Sequence, residues 1–176
     1  MITCVAIDDE PLALVVLQEY ISRTPGLDLK QSFTDAFAAL EYLKTHEIDL
    51  LFLDIRMPRI TGIQLLKSLS KPPLVIFTTA YSNYALDGFN LDAIDFLLKP
   101  FEYERFLKAT NKASEYIHYN QKPNYSDSVE YIFVKSEYQI IKINLDDIRY
   151  IEGMDDYVKI FRNEKMVLTN MPMRIF

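Results

Sequence analysis

Short extended runs alternate with segments of helical periodicity over roughly the first 120 residues. The runs cover residues 2–7, 27–33, 49–53, 74–77 and 94–98, and all but the second are almost wholly apolar. Continuous apolar runs of this length predict strands buried on both faces, as in a parallel sheet. The more polar second run predicts an edge strand. The pattern therefore predicts an α/β fold with a doubly wound, five-stranded parallel sheet.

Apolar positions three and four residues apart predict helices between and after these strands. The predicted helices begin near Pro11, after a cap at Thr34 or Asp35, near Gly62, at Ser82 and after Phe101. The first is expected to end near Thr24, the fourth covers residues 82–89, and the last is long.

The hydrophobic period changes to two beyond a polar stretch that contains Pro123. Five short alternating segments then predict antiparallel strands at residues 131–136, 139–143, 147–151, 157–161 and 165–168. About fifty residues are few for a closed β domain. We therefore predict three parts: a domain at residues 1–120, a linker at 121–128 and a partial antiparallel β domain at 129–176.

Composition narrows the function classes. The net charge is −6 over 176 residues, which argues mildly against strong nucleic-acid binding by this chain as it stands. No apolar stretch approaches the ~20 residues of a membrane span, and the start lacks signal-peptide features, so we expect a soluble, cytoplasmic protein that does not bind membranes. Cys4 lies in a predicted strand and is interpreted as a core residue.

Charged and hydroxyl side chains follow the predicted strands at the ends where they would meet. Asp8 and Asp9 follow the first run, Asp54 the third, Thr79 the fourth and Lys99 the fifth. Ligands of such sheets bind at the carboxyl ends of the strands. An oxygen-only acidic site suits Mg²⁺ or Mn²⁺ rather than zinc. The expected chemistry is attack by an aspartate carboxylate on phosphorus, which gives an aspartyl phosphate.

Four motifs carry a resemblance to a known family. They are Asp8-Asp9-Glu10, Leu53-Asp54-Ile55-Arg56-Met57-Pro58 with Gly62, Thr78-Thr79-Ala80, and Phe96-Leu97-Leu98-Lys99-Pro100-Phe101. Together they resemble the receiver domain of two-component response regulators over residues 1–120. The resemblance implies a flavodoxin-like fold and a sensor histidine kinase as the phosphoryl donor to Asp54.

The same resemblance implies roles for the other site residues. Asp9, Asp54 and the backbone carbonyl of Arg56 would bind Mg²⁺, and Asp8 would support the metal through water. Thr79 and Lys99 would bind the phosphoryl group, and the Lys99–Pro100 bond would be cis.

The resemblance also implies a switch and a regulated lifetime. Phe96 would turn inward as Thr79 moves toward the phosphoryl group, and the changed surface would favour a homodimer. Arg56 and Tyr81 occupy positions that tune the lifetime of the phosphate in this family. A large ring at residue 81 predicts slow self-dephosphorylation, in a phosphoacceptor rather than a turnover enzyme.

The second part has a resemblance of its own. Phe133-Val134-Lys135-Ser136, Ile148-Arg149-Tyr150-Ile151-Glu152-Gly153 and Asp156-Tyr157-Val158-Lys159-Ile160 resemble the first half of a LytTR-type DNA-binding domain. This implies promoter DNA as a partner of the full-length protein. The matching first loop, at about residues 153–156, is acidic. Lys135, Lys159 and Arg162 are the weak candidates for phosphate contacts.

Three other functions compete with a transcriptional response regulator. A receiver could act through protein–protein docking without DNA binding. A phosphohydrolase of the haloacid dehalogenase type also uses an aspartyl phosphate, but its nucleophile lies on the first strand and has a second Asp two residues on. A flavin-binding flavodoxin-like protein is the least favoured, because the acidic site would repel the phosphate of the cofactor.

Overall fold

The computed structural model of the protein describes residues 1–80, 93–121, 130–136, 139–154, 157–163 and 165–170. These residues fall into two units. The first unit contains residues 1–80 and 93–114. The second contains residues 115–121 and the described residues from 130 onward.

The first unit is built on a five-stranded sheet in which all strand pairs are parallel. Its strands are β1 (Ile2–Ile7), β2 (Leu27–Phe33), β3 (Leu50–Asp54), β4 (Leu74–Thr79) and β5 (Asp95–Leu98). The spatial order is β2-β1-β3-β4-β5, the doubly wound order of flavodoxin-like folds. The predicted fold class is confirmed, and the more polar strand β2 lies at the edge as expected.

Four α-helices are described: α1 (Pro11–Ser22), α2 (Ala36–Thr45), α3 (Gly62–Ser68) and α4 (Tyr103–Gln121). Pro11 opens α1, where its missing N–H costs little. Of the two predicted caps of α2, it is Asp35 whose side chain accepts the backbone N–H bonds. Thr61 and Gln64 form a reciprocal capping box at α3. The helix predicted at residues 82–89 lies outside the described residues.

The core of the first unit lies on both faces of the sheet. The strand order reverses between β1 and β3, so right-handed crossovers place α1 on one face and α2 and α3 on the other. Phe52 of β3 stacks on Phe106 of α4 with ring centroids 5.2 Å apart, and Tyr20 of α1 contacts the same ring. Cys4 is fully buried, and burial raises the pKa of its thiol to about 12, which confirms it as a core residue.

The second unit contains antiparallel strands that follow the last turns of α4. They are β6 (Tyr131–Ser136), β7 (Gln139–Asn144), β8 (Ile148–Met154), β9 (Tyr157–Arg162) and β10 (Met166–Thr169). β6 pairs with β7, while β8, β9 and β10 form a second sheet in the order β10-β9-β8. Their shared core is aliphatic and comprises Val134, Ile143, Val158, Ile160 and Val167.

The antiparallel character of the second unit is confirmed, and β8 continues three residues beyond its predicted end at Ile151. Gly153 and Met154 of β8 pair with Val158 and Tyr157 of β9. The predicted linker lies almost entirely outside the described residues, and the proposed domain boundaries stay a prediction. No helix in the described residues combines the length and apolarity needed to cross a membrane.

Candidate functional site

Two buried acids and a lysine meet at the carboxyl edge of the parallel sheet. Asp8 follows β1, Asp54 is the last residue of β3, and Lys99 follows β5. Lys99 Nζ lies 3.0 Å from Asp54 Oδ1 and 2.6 Å from Asp8 Oδ2. The short distance to Asp8 Oδ2 makes a second ion pair of the same lysine. The sheet thus brings two of the predicted acids, Asp8 and Asp54, to the predicted lysine.

Burial governs the protonation of the two acids. Asp8 is 0% exposed and Asp54 is 5% exposed. Desolvation raises the pKa of each above the ordinary Asp value, and the contact with Lys99 acts in the opposite direction. Each acid has a further carboxylate nearby, Asp9 beside Asp8 and Asp8 beside Asp54, which raises its pKa as well. The two acids therefore form a site in which the positive charge of Lys99 only partly balances the negative charge of the carboxylates.

Lys99 supplies the positive charge of the site. Its side chain is only 18% exposed. Burial alone would favour the neutral amine, but Asp8 and Asp54 together raise the pKa of Lys99 above its usual value. Lys99 is therefore a protonated cation, and the Oε2 atom of a third acid, Glu10, lies 4.0 Å from its Nζ.

The loop from β3 to α3 is folded around Asp54. The Arg56 N–H donates to Asp54 Oδ2 (2.7 Å), and the Ile55 N–H donates to the Thr78 carbonyl on β4 (3.2 Å). The Gly62 N–H donates back to the Ile55 carbonyl (3.0 Å) and closes the loop. A Cβ on Gly62 would lie 2.1 Å from the Asp54 carbonyl oxygen, so this position requires glycine. Gly62 was predicted as a helix start and as part of the Asp54 motif, but its close approach to the Asp54 carbonyl was not predicted.

The donor set fits a hard divalent cation. Asp9 is exposed beside the buried pair, and within the described residues no three acidic, His or Cys side chains already converge at metal-binding distances. However, Asp8, Asp9 and Asp54 supply only carboxylate oxygens, and these acids outnumber the one lysine that contacts the buried pair. Oxygen ligands and excess negative charge are what Mg²⁺ selects. The residues present therefore suit the predicted metal.

The other predicted receiver residues that the structure describes are Thr79, Phe96, Pro100 and Arg56. Thr79 is the last residue of β4 and is buried. Phe96 is half-buried on β5 and stacks on Phe77 of β4 with ring centroids 5.5 Å apart. The Lys99–Pro100 peptide bond is cis. Arg56 is exposed, and Tyr81 lies outside the described residues.

The three candidate DNA contacts do not converge on one strand face. Lys159 and Arg162 are three residues apart on β9, and residues separated by an odd number point to opposite sides of a strand. Arg162 also lies 3.5 Å from Asp147 in an ion pair of its own unit. Lys135 is exposed on β6. Two residues of the predicted acidic loop, Asp155 and Asp156, lie outside the described residues.

Comparisons with known proteins agree with this geometry. Residues 4–111 match the profile of the response regulator receiver domain. The chain is 31% identical over 182 residues to an uncharacterized response regulatory protein of Vibrio cholerae, covering 91% of this chain and 69% of that protein. It is 36% identical over 144 residues to the sensory transduction protein LytR of Staphylococcus haemolyticus, covering 80% of this chain and 53% of that protein.

A solved structure with a metal is also similar. The response regulator TrrA of Thermotoga maritima, crystallised in complex with Mg²⁺ and BeF, superposes with a TM-score of 0.58 at 27% identity, covering 64% of this chain and 99% of that one. The chain spans 69% and 53% of the lengths of the two sequence relatives. These relatives carry sequence that the present chain does not match.

Proposed function

Because this chain belongs to the two-component response regulators, we propose that Asp54 is the residue that accepts a phosphoryl group from a sensor histidine kinase. The observation that carries this proposal is the contact between Lys99 and two buried acids at the carboxyl edge of the sheet. Asp54 is the member of the pair that ends the central strand β3 and that begins the closed loop. Members of this family are generally not turnover enzymes.

Phosphoryl transfer at this site is a displacement on phosphorus. A carboxylate oxygen of Asp54 forms the new O–P bond while the bond from phosphorus to the donor, a histidine nitrogen of the kinase, breaks. Lys99 then pairs with a phosphoryl oxygen instead of the free carboxylate, and the Thr79 hydroxyl donates to another. The contact of Lys99 with Asp54 lowers the pKa of the buried carboxylate against the effect of burial, and so favours the ionised form that attack requires.

The site would hold Mg²⁺ through Asp9, Asp54 and the backbone carbonyl of Arg56, with Asp8 supporting the metal through water. When bound, the metal neutralises phosphoryl oxygens and holds them near the nucleophile. The fit rests on the oxygen-only donors and on the excess of carboxylates over the positive charge of Lys99.

The output of phosphorylation is proposed to be regulation of transcription. Thr79 and Phe96 form the switch: movement of Thr79 toward the phosphoryl group lets Phe96 turn inward, and the changed surface favours a homodimer. The second unit resembles the first half of a LytTR-type domain and would take part in contacts with promoter DNA. Selection of fragments from genomic DNA by the phosphorylated protein tests this output against the alternative of protein docking.

The phosphorylated state is proposed to be long-lived. Arg56 is exposed beside Asp54, and Tyr81 is the second position that tunes hydrolysis. A large ring there would hinder the attacking water. The loss of phosphoryl mass with time, after removal of the donor, measures this rate.

Intact mass spectrometry after incubation with acetyl phosphate and Mg²⁺ tests the acceptor. We expect the wild type to gain one phosphoryl group, and the gain to disappear in Asp54→Ala and on chelation of Mg²⁺. Asp146→Ala, which removes an exposed acid of the second unit, is the matched control and should gain the group normally. A gain that persists in Asp54→Ala would show that another residue is the acceptor.

A further inference from the structure

Arg59 occupies an unusual backbone conformation in the loop that follows Asp54. Its φ is +69°, in the left-handed region that a residue with a long side chain rarely adopts. The Ile60 N–H donates to the Pro58 carbonyl (2.8 Å) across it, so Arg59 is the central residue of a strained γ-turn. Such a conformation persists only where surrounding contacts compensate for its cost.

The side chain of Arg59 contacts the start of α2 in two ways. Its Nη2 forms an ion pair with Asp35 Oδ2, and its guanidinium lies over the ring of Phe37, 5.2 Å from the centroid. Asp35 is itself held in place, because its Oδ1 accepts the backbone N–H groups of Phe37 and Ala38 (2.9 Å each). One carboxylate therefore caps the helix with one oxygen and anchors the loop with the other.

Backbone hydrogen bonds hold the two ends of the loop. Ile55 is bonded to β4 and Gly62 closes back on Ile55. Arg56 and Arg59 lie between these two bonded ends. The Arg56 N–H donates to Asp54 Oδ2, and Arg59 is the central residue of the γ-turn. Movement of the turn would be passed along three peptide units to the backbone of Arg56.

We propose that Arg59 is a positioning residue: by anchoring the γ-turn to Asp35 and Phe37, it holds the Arg56 carbonyl and the Asp54 carboxylate in the orientation that binds Mg²⁺. This inference rests on the proposed function of the site. Arg59 and Asp35 are 24 residues apart in sequence. Both side chains are exposed, so their ion pair itself adds little to the stability of the fold.

The sign of the effect separates positioning from simple electrostatics. Removal of a cation near an acidic metal site raises the affinity of that site for Mg²⁺ if charge alone acts. Loss of positioning lowers it, because residues that orient metal ligands typically contribute about tenfold or more to affinity. Asn tolerates a positive φ, so Arg59→Asn removes the guanidinium while keeping the turn accessible.

The test is Mg²⁺ titration of the full chain by isothermal titration calorimetry, with thermal midpoints measured alongside. We expect Arg59→Asn to weaken Mg²⁺ binding about tenfold with an unchanged midpoint, and Arg59→Lys to recover part of the loss. Asp35→Asn keeps the helix cap, since Asn caps as well as Asp, and should weaken binding in the same direction. The double variant should bind no more weakly than Arg59→Asn, because both substitutions break one link.

Arg23→Asn is the matched control. Arg23 is also an exposed arginine with an ion pair, to Glu19, and a ring contact, to Tyr103, but it lies at the far end of α1. Unchanged or tighter Mg²⁺ binding in Arg59→Asn would overturn the role of Arg59 but not the proposed function of the site. Equal weakening in Arg23→Asn would do the same. Absence of Mg²⁺ binding in the wild type would overturn the proposed function of the site as well.

Discussion

The parallel sheet of the first unit and the β8–β10 sheet of the second unit differ in what covers their faces. Every residue of β3 is buried, so side chains pointing to either side of that strand enter a core. In the β8–β10 sheet one face enters the aliphatic core. The other carries large side chains that stay substantially exposed: Tyr150, Met154, Tyr157, Met166 and Leu168.

This difference explains why the two units have different hydrophobic periods. A strand buried on both faces needs apolar residues at every position, which produced the continuous runs in the first unit. A strand buried on one face needs them only at every second position. In β9 the buried Val158 and Ile160 alternate with the less buried Tyr157, Lys159 and Phe161. On the outer face, large aromatic residues replace the expected polar ones, and Tyr150 stacks on Phe161 at 4.3 Å.

The largest predicted effect compares one leucine from each sheet. Leu51 on β3 is 0% exposed and Leu168 on β10 is 39% exposed. We expect Leu51→Ala to destabilise its unit by roughly 2–5 kcal/mol, because it leaves a cavity in a core that cannot fully collapse. Leu168→Ala should cost less than about 1 kcal/mol.

Hydrogen exchange followed by mass spectrometry resolves the two units separately, which a single unfolding midpoint does not. Leu51→Ala should accelerate exchange in β1, β3 and β4. Leu168→Ala should leave those strands unchanged and affect β9 and β10 only slightly. Equal losses in the two variants would show that the outer face of the β8–β10 sheet is covered as fully as the parallel sheet.

The positions of the strands and of the acidic site were predictable because both follow from local pattern. Strand burial dictates the apolar runs, and a parallel topology brings their carboxyl ends, with Asp8, Asp54 and Lys99, to one edge. The helix cap was predictable only as Thr34 or Asp35, because both residue types cap helices. The structure selects Asp35 through its bonds to Phe37 and Ala38.

Other features depend on contacts between segments distant in sequence. The pairing of Arg59 with Asp35 arises only when the β3–α3 loop reaches α2, and no local pattern marks it. The need for glycine at residue 62 depends on the carbonyl of Asp54 lying against it. The candidate DNA contacts could not be ranked from sequence, since composition does not tell which of Lys135, Lys159 and Arg162 share a surface.

The second prediction concerns stability at the carboxyl edge of the parallel sheet. Burial raises the pKa of Asp54 in the folded chain, so above the ordinary Asp pKa the unfolded chain has already lost a proton that the folded chain retains. Stability is then highest at acidic pH and falls as the pH rises through the raised value. Asn has no proton to lose, so without Mg²⁺ the Asp54→Asn variant should not lose stability as the pH rises to 7. We expect its Tm at pH 7 to exceed that of the wild type by a few degrees, since about 1 kcal/mol in the free energy of unfolding corresponds to ~2–4 °C at this size.

Differential scanning calorimetry between pH 4 and 8, in the presence of a chelator, measures this effect. Lys99 keeps Asp8 as a partner in the variant, so no buried cation is left alone. Asp146→Asn removes an exposed acid from the second unit and should leave Tm unchanged. A lower Tm for Asp54→Asn at pH 7 would mean that its pair with Lys99 outweighs the desolvation of the carboxylate.

The smallest predicted effect compares two lysine–glutamate pairs that involve α4. Lys142 Nζ on β7 lies 2.8 Å from Glu115 Oε2 and 3.9 Å from the centre of the Tyr131 ring. The side chain of Lys142 is 29% exposed. Lys108 lies 2.7 Å from Glu104, but both side chains are largely exposed. Partial burial and the aromatic face strengthen the first pair, whereas solvent screens the second. Substitution by Met keeps most of the apolar stem of each lysine and removes only the charge.

We expect Lys142→Met to destabilise the second unit by roughly 0.5–1 kcal/mol and Lys108→Met to have no measurable effect. Hydrogen exchange in β6 and β7 measures the effect of Lys142→Met. Hydrogen exchange in the first turns of α4 measures the effect of Lys108→Met. Salt sharpens the contrast, because a partly buried pair is screened less than an exposed one, so the difference should survive at high ionic strength. If Lys142→Met leaves β6 and β7 unchanged, the α4–β7 ion pair is as weak as an exposed one, and the aliphatic core alone holds the hairpin.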